Sequence, residues 1–130
     1  MKLFQVPHTH IDKAWRDGAS NLERACERGD EVTPSQLKLM LSRNERQLLG
    51  VEQFGEPRGW AVVGIEALPN YRALAVYAAF APGCVVLDQL KEYARANGCV
   101  AIRIACDDAG ARLWSSRGAK KKYQVMEWEV

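Results

Sequence analysis

The residues best placed to do chemistry in this sequence surround the dipeptide Pro82-Gly83. There an apolar, strand-like run over residues 72–81 stops and a helix-like run over residues 85–97 begins. A glycine at such a junction lets backbone N–H groups approach a ligand, and the start of a helix carries partial positive charge, so the loop has the form of a phosphate site. A tight strand-to-helix turn that binds nothing would use Pro-Gly for its shape alone. The local sequence leaves both interpretations open.

Two further groups of residues have reactive side chains but lack the partners that their chemistry needs. Cys84 lies at the predicted helix start, where a thiol becomes more acidic, but a nucleophilic cysteine would also need a histidine that the sequence does not place beside it. His8 and His10 form an H-x-H pair, and two ligands without a third nearby do not make a metal site. We therefore predict no metal site and no cysteine nucleophile.

Charge and composition exclude several classes of protein. The net charge is only +2, from 18 basic and 16 acidic residues, so the overall charge does not indicate a nucleic-acid partner. The one basic concentration is formed by Arg117, Lys120, Lys121 and Lys122. Those four residues are either a solvated surface or a contact for an anionic partner.

The chain also lacks the sequence features of membrane and secreted proteins. No apolar run approaches the ~20 residues that span a bilayer, and the first residues lack a signal-peptide core. The four cysteines show no C-x-x-C spacing, which favours reduced structural thiols. We expect a cytoplasmic protein with no membrane contact, made of a single domain over residues 1–130.

The elements that must position the Pro-Gly loop follow from the hydrophobic periodicity. The first part of the chain predicts a strand over residues 3–6, a helical pattern over 11–28 that Gly18 interrupts, and a helix that Thr33-Pro34 begins and that ends near Asn44. The period then changes from 3.6 to 2. The remaining predicted elements are strands over 47–54, 60–68 and 72–81, a helix over 85–97, a strand over 99–106, a short helix to about residue 117, and a last strand over 121–130.

This order, β-α-α-β-β-β-α-β-α-β, defines an α/β (α+β) fold with one mixed sheet. The links between residues 47–54, 60–68 and 72–81 have hairpin length, so these strands should be antiparallel. The helix over 85–97 joins two apolar strands as a βαβ unit, whose strands should be parallel with a right-handed crossover. We therefore predict a mixed, mostly antiparallel sheet flanked by helices.

That order, over essentially the whole chain, resembles the GNAT superfamily of N-acetyltransferases. The family's last helix reads roughly N-x-x-A-x-x-L-Y-x-x-x-G-F, and the corresponding run here is Asp107-x-x-Gly110-x-x-Leu113-Trp114-x-x-x-Gly118-Ala119. The stretch LKEYARANGCVAIRI also resembles small GNAT-like proteins of tailed phages, and some phage internal core proteins look similar. The resemblance implies a GNAT-like fold and acetyl-CoA as the cofactor.

The resemblance also assigns cofactor-binding positions, and this chain departs from the family pattern at several of them. The family's loop motif, Q/R-x-x-G-x-G/A, falls on Ala78, Ala81 and Gly83. Ala78 has no side-chain donor, Ala81 adds a Cβ where backbone should come close, and Pro82 has no N–H. Losing two charge-assisted bonds of ~1.5–3 kcal/mol each would weaken a CoA site by several tenfold steps.

Of the implied cofactor site, the chain keeps a glycine and backbone N–H groups. Gly83 remains, and so do the backbone N–H groups of Cys84, Val85 and Val86 at the predicted helix start, which we expect to form a possible but impoverished anion site. The resemblance further implies that the strand around Val76 and Ala78 aligns the pantetheine arm by backbone hydrogen bonds.

The resemblance also indicates where to look for catalytic residues. Trp114 stands where many family members have a tyrosine that protonates the leaving thiolate, and an indole cannot do so. Tyr123 is the nearest substitute as the acid. Glu66, on the predicted strand 60–68, is the candidate general base if it is buried, and Glu52 is a weaker one. Glu66 could equally be an outward-facing carboxylate, and Trp114 a core or cleft-wall aromatic.

Two functions therefore stay open. The first is an acyl-CoA-dependent N-acetyltransferase, of phage or bacterial origin, that acts on a small amine or a host protein in the cytoplasm. The second is an inactive GNAT fold that serves as a phage virion component, such as an internal core protein, or as another protein-interaction module. A fold alone does not choose between them, because one fold serves many functions.

Overall fold

The computed structural model describes residues 1–27, 31–81 and 86–130. The strands in these residues are β1 (Lys2–Val6), β2 (Gln47–Gln53), β3 (Glu56–Ala67), β4 (Arg72–Phe80) and β5 (Ala101–Ile104). The α-helices are α1 (Ile11–Arg16), α2 (Glu23–Glu27), α3 (Pro34–Ser42), α4 (Leu87–Ala96) and α5 (Asp108–Ser115). Two short 3-10 turns, His8–His10 and Ala19–Leu22, precede α1 and α2.

The strands form one mixed sheet in the order β1-β2-β3-β4-β5. The first three pairings are antiparallel, and β4 and β5 are parallel, joined by the crossover that contains α4. The predicted βαβ unit and the mixed, mostly antiparallel sheet flanked by helices are confirmed.

Apolar side chains form two cores. The first core contains residues of β1, α1, α2 and α3 packed on the sheet, including Leu22, Leu37 and Val62. The second core contains residues of β2, β3 and β4 packed against α4, including Val63 and Leu74. Because successive strand residues point to opposite faces, Val62 and Val63 mark the two faces of the sheet.

The predicted helix boundaries at Gly18 and Thr33 follow from local chemistry. Gly18 has a φ of 126°, which ordinary residues rarely adopt, and the helical pattern breaks there into α1 and α2. The Thr33 side chain accepts a hydrogen bond from the Gln36 amide at 3.2 Å, and the Gln36 side chain accepts one from the Thr33 amide at 2.9 Å. This reciprocal pair is a capping box, with Pro34 in the first turn of α3.

The first hairpin is tighter than the sequence predicted. Its turn residues are Phe54 and Gly55, whose φ angles of 55° and 79° match the twist of the flanking strands. As a result β3 begins at Glu56, and Pro57 lies within the strand opposite Glu52, next to an irregularity in register. The sequence predicted residues 55–59 as the connection between the two strands. In the structure only Gly55 belongs to the turn, and residues 56–59 are the beginning of β3.

The predicted last strand over residues 121–130 is wrong. Residues 119–130 have no regular secondary structure, and every one of them is exposed. Alternating apolar residues form a strand only when a partner strand satisfies their backbone groups, and among the described residues β5 pairs with β4 alone.

None of the helices in the described part of the chain is long and apolar enough to cross a bilayer.

Candidate active site

A group of polar side chains meets on one face of the sheet, above β4. Arg103 of β5 is level with Ala75 of β4, which in turn pairs with Gly64 of β3. Glu66 lies two residues further along β3 and pairs with Ala73. Residues directly opposite on neighbouring strands point to the same face, so the small residues of β4 leave room for long side chains from either side.

Glu66 uses both carboxylate oxygens within this group. Its Oε2 forms an ion pair with Nη1 of Arg103 at 3.1 Å, and its Oε1 accepts a hydrogen bond from the hydroxyl of Tyr77 at 3.3 Å. The side chains of Arg103 and Glu66 keep 23% and 33% of their accessible surface. The carboxylate is thus partly shielded and held in orientation, and each oxygen retains a free acceptor direction.

Tyr123 joins the same group through Arg103. Nη2 of Arg103 donates to the Tyr123 hydroxyl oxygen at 2.6 Å, and the guanidinium lies 5.7 Å from the centre of its ring. The oxygen accepts this bond, so the phenolic proton is left to donate elsewhere. We call Glu66, Tyr77, Arg103 and Tyr123 the carboxylate cluster.

Tyr77 belongs to the carboxylate cluster through its hydrogen bond to Glu66. Its ring is covered by the guanidinium of Arg46, 3.6 Å from the ring centre. Burial raises the pKa of Tyr77 above its ordinary value of 10.0; the nearby charge of Glu66 raises it further, and Arg46 opposes the rise. The hydroxyl is therefore a neutral proton donor at physiological pH.

The strand that carries Tyr77 changes register at this residue. Val62 pairs with Ala78 and Val63 pairs with Val76, so Tyr77 is an extra residue in β4. The bulge turns the Tyr77 side chain over Gly64, where a Cβ would come within 2.8 Å of the ring. A glycine at residue 64 and a bulge at residue 77 together make room for the aromatic ring beside Glu66.

β4 and β5 separate immediately beyond the cluster. Their last paired residues are Val76 and Ile104, whereas β4 continues to Phe80. Between Tyr77 and Phe80, β4 pairs with β3 on one side and with no strand on the β5 side among the described residues. This stretch offers backbone donors and acceptors to an extended ligand, beside the carboxylate cluster.

The predicted cofactor-binding residues fall in different surroundings. Val76 is buried in the second core at the last rung of the β4–β5 ladder, so its own backbone lies at the mouth of the opening. Ala78 lies within the unpaired stretch and packs against the first core. Gly83, Cys84 and Val85 lie outside the described residues.

The predicted catalytic residues Glu66 and Tyr123 lie within one cluster, with Arg103 between them. Glu52, the weaker candidate base, lies on β2, where it pairs with Pro57 at the other end of β3. Trp114 is only partly buried on α5, a helix without a buried residue, so it is not the core aromatic that the sequence suggested.

Sequence reasoning missed Arg46, Tyr77 and Arg103. A signal existed for Arg103, because an arginine within a strand expected to be buried requires an acidic partner. Tyr77 carried a weaker signal as the one hydroxyl-bearing side chain in the apolar run of β4 after Arg72. No local pattern marks the stacking of Arg46, which precedes β2, on a ring in β4.

Among the residues that the structure describes, the histidines and cysteines do not extend the carboxylate cluster. His8 and His10 are exposed in a 3-10 turn, and over the described ranges no three His, Cys, Asp or Glu side chains are grouped as metal ligands. Cys26 and Cys99 are buried, in keeping with structural thiols, while Cys106 is exposed. Burial raises the pKa of Cys26, which keeps that thiol protonated.

The fold defined by this sheet, its βαβ unit and its bulged β4 is that of the GNAT acetyltransferases. Scans against protein-family models and against curated proteins find no match. Solved structures do match. The chain is similar to a ribosomal-protein-alanine N-acetyltransferase from Brucella melitensis biovar Abortus 2308, with a TM-score of 0.74, 12% identity and 100% of both chains covered.

Two aminoglycoside acetyltransferases are also similar in structure. One is AAC(6')-Iy in complex with CoA, with a TM-score of 0.67, 12% identity and 99% of this chain against 93% of that one. The other, from an uncultured soil metagenomic sample and in complex with sisomicin, has a TM-score of 0.69, 10% identity and coverage of 99% and 94%. At sequence identities of 10% to 12%, the structural similarity establishes the fold of this chain alone.

Proposed function

We propose that this chain is an N-acetyltransferase that moves an acetyl group from acetyl-CoA to an amine. The observation that carries the proposal is the position of the carboxylate cluster directly beside the unpaired stretch of β4. The acetyl donor on β4 would then lie next to an acid–base pair formed by Glu66 of β3 and Tyr123. The acetyltransferase activity of proteins with this fold, among them one solved with CoA, supports the assignment.

The residues present fit the pantetheine part of acetyl-CoA. The arm carries two amides, and the free backbone edge of β4 from Tyr77 to Phe80 supplies matching donors and acceptors. Acetyl-CoA supplies an acetyl group activated as a thioester. Ala78, within this stretch, has a side chain small enough for close approach of the arm.

The carboxylate cluster supports the following proposal for the proton steps. The amine nitrogen forms a bond to the thioester carbonyl carbon, the C–S bond breaks, and the amine proton passes to Glu66. Arg103 holds Glu66 in place, and Tyr77 fixes the other carboxylate oxygen. Tyr123 would donate a proton to the departing thiolate, because its hydroxyl oxygen is held by Arg103 while its own proton is free.

The acceptor in this proposal is a small amine or an amino group of a protein. Glu66 would also attract the protonated form of such an amine before the reaction, since a partly shielded carboxylate favours a cation.

The alternative is a GNAT-fold protein without activity that serves as a virion or interaction component, in the cytoplasm or in a phage particle. The sequence of the loop favours it, because Ala78, Ala81 and Pro82 replace residues that donate to or approach phosphate in the family that the chain resembles. Affinity for acetyl-CoA separates the two proposals.

Calorimetric titration with acetyl-CoA is the first test. A site occupied at 100-fold excess over its Kd stabilises the folded chain by ~2.7 kcal/mol, which a thermal shift detects. Absence of heat and of any shift at millimolar acetyl-CoA would reject the enzyme and favour the inactive protein. Coenzyme A without the acetyl group is the matched control for the contribution of the nucleotide and pantetheine.

The second test measures release of the CoA thiol with a panel of polyamines, aminoglycosides and peptides with free N-termini. We expect Glu66→Gln to lower kcat by ~10²–10⁴-fold and to leave acetyl-CoA affinity unchanged. Glu52→Gln is the control, since Glu52 lies on β2, opposite Pro57 at the far end of β3. Equal activity of the two variants would remove Glu66 from the mechanism.

A further inference from the structure

Arg46 places a second positive charge beside the carboxylate cluster. It immediately precedes β2 and, by the register of β2 on β3, lies level with Gly64. The ring of Tyr77 also lies over Gly64, and the guanidinium of Arg46 is 3.6 Å from the centre of that ring. Stacking uses the flat face of a guanidinium, so its N–H groups, which point outward from the edge, remain available to donate hydrogen bonds.

The two arginines at this place differ in their partners. Arg103 forms the 3.1 Å ion pair with Glu66 and donates to Tyr123 at 2.6 Å. Among the residues that the structure describes, Arg46 forms no ion pair and donates no side-chain hydrogen bond. Arg46 is also half-buried, and a partly shielded cation attracts an anion more strongly than a fully solvated one does. Its guanidinium therefore has both the charge and the donors to bind the anionic group of a ligand.

Arg46 and Glu66 contact two different parts of one side chain, that of Tyr77. Arg46 lies on the ring, and Glu66 accepts a hydrogen bond from the hydroxyl at 3.3 Å. Tyr77 is 40% exposed, so a ligand can lie against it from the solvent. Such a ligand meets a cation at one end of the tyrosine and a carboxylate at the other.

A ligand that satisfies both groups carries a negative and a positive charge close together. An α-amino acid has its amine and its carboxylate on the same carbon, with nitrogen and oxygen ~3 Å apart. With one charge-assisted hydrogen bond of ~2.8 Å at each end, it spans on the order of 8 Å. That length suits two groups that contact the ring and the hydroxyl of one tyrosine. A planar carboxylate also matches the fork of N–H groups on an arginine.

We propose that the acceptor amines are α-amino acids, whose carboxylate binds Arg46 while their amine faces Glu66. This inference rests on the proposed N-acetyltransferase function, and it makes Arg46 a specificity-determining residue. The bond changes are those of that function: the amine nitrogen bonds to the acetyl carbonyl carbon and the C–S bond breaks. The products are an N-acetylamino acid and the free thiol of CoA, and the carboxylate of the acceptor stays unchanged.

Release of the CoA thiol with alanine and with alaninamide tests the choice of acceptor. The amide keeps the amine and lacks the negative charge, so we expect kcat/KM to be about tenfold or more higher for alanine. Arg46→Gln should reduce this preference about tenfold, mainly through the KM for alanine. Arg46→Lys keeps the charge without the planar fork and should reduce the preference less.

Arg43→Gln is the matched control, since Arg43 is an exposed arginine at the end of α3. It should keep the preference for alanine. Equal use of alanine and alaninamide by the parent protein would overturn the proposal and leave the N-acetyltransferase function standing. The same conclusion would follow if Arg46→Gln kept the full preference.

Nuclear magnetic resonance tests the carboxylate contact without turnover. The side-chain Nε–H resonance of Arg46, assigned by its loss in Arg46→Gln, should shift with millimolar alanine and much less with alaninamide. That shift in a protein that transfers acetyl groups to no amine would support the carboxylate contact and reject the enzyme. Absence of a shift with alanine, or an equal shift with alaninamide, would overturn the proposal.

Discussion

Glu66 on β3 and Arg103 on β5 form a 3.1 Å ion pair that spans the intervening strand β4. The pair is possible because the residues of β4 beneath it, Ala73 and Ala75, have side chains of a single carbon. Tyr77 enters the same space only because β4 bulges at that residue. Three strands thus contribute to one polar group without burying an unpaired charge.

This ion pair should contribute a measurable coupling energy to stability. In a double-mutant cycle with Glu66→Gln and Arg103→Gln, we expect about 0.5–1 kcal/mol, a value discounted because both side chains remain partly exposed. Urea unfolding of the four proteins measures it. The more exposed Lys13–Asp17 pair on α1 is the control and should show less. Equal coupling in both pairs would contradict the shielding described for the cluster.

Gly64 should be needed for the position of the Tyr77 ring. An added Cβ would lie 2.8 Å from the ring, so Gly64→Ala should destabilise the protein by about 1 kcal/mol. In a Tyr77→Ala background the ring is absent, and the same substitution should be neutral or stabilising by ~0.5 kcal/mol, as for alanine in place of glycine in a strand. The sign reversal is the result to look for in urea unfolding. A loss of stability in both backgrounds would show that residue 64 is constrained by something other than Tyr77.

The stability of the protein should fall at alkaline pH in part through Tyr77. Its pKa is raised in the folded state, so the folded chain holds this proton more tightly than the unfolded chain does. The resulting stability is fully present below pH 10.0, the ordinary value, and is lost as the pH rises through the raised pKa. We expect Tyr77→Phe to make the alkaline fall in unfolding free energy shallower.

Absorbance titration of tyrosinate tests the causes of the same shift. Glu66→Gln should bring the Tyr77 pKa only part of the way down, because burial is the larger cause and remains. A full return to the ordinary value would mean that the carboxylate, and not burial, controls the hydroxyl.

Much of the fold could be predicted because its signals are local. Hairpin-length links gave antiparallel strands, the helix between two apolar strands gave the parallel pair, and Thr33-Pro34 gave the start of α3. The turn at Phe54 was missed because phenylalanine rarely adopts a positive φ, and nothing in its type indicates that it does so here.

The site was only partly predictable because it depends on register. Glu66 and Tyr123 could be proposed as residues, but their common partner Arg103 follows from which residue of β5 lies level with Ala75. The bulge at Tyr77 shifts the register between β3 and β4, and it leaves no pattern in the sequence. The last strand was predicted from alternation, which describes the sequence of the segment but does not supply the partner strand that a β-strand needs.

The cap of α3 gives the simplest test of local stability. Thr33→Ala removes the acceptor for the Gln36 amide and one half of the capping box, so we expect a loss of about 1 kcal/mol in unfolding free energy. Gln36→Ala removes the other half and should cost less, because the Thr33 side chain still caps the helix. Ser35→Ala, at a residue between the two in the sequence, is the matched control and should stay within about 0.5 kcal/mol of the parent. A loss from Ser35→Ala as large as that from Thr33→Ala would show that the helix is sensitive to any change in its first turn, and the cap would lose its assigned role.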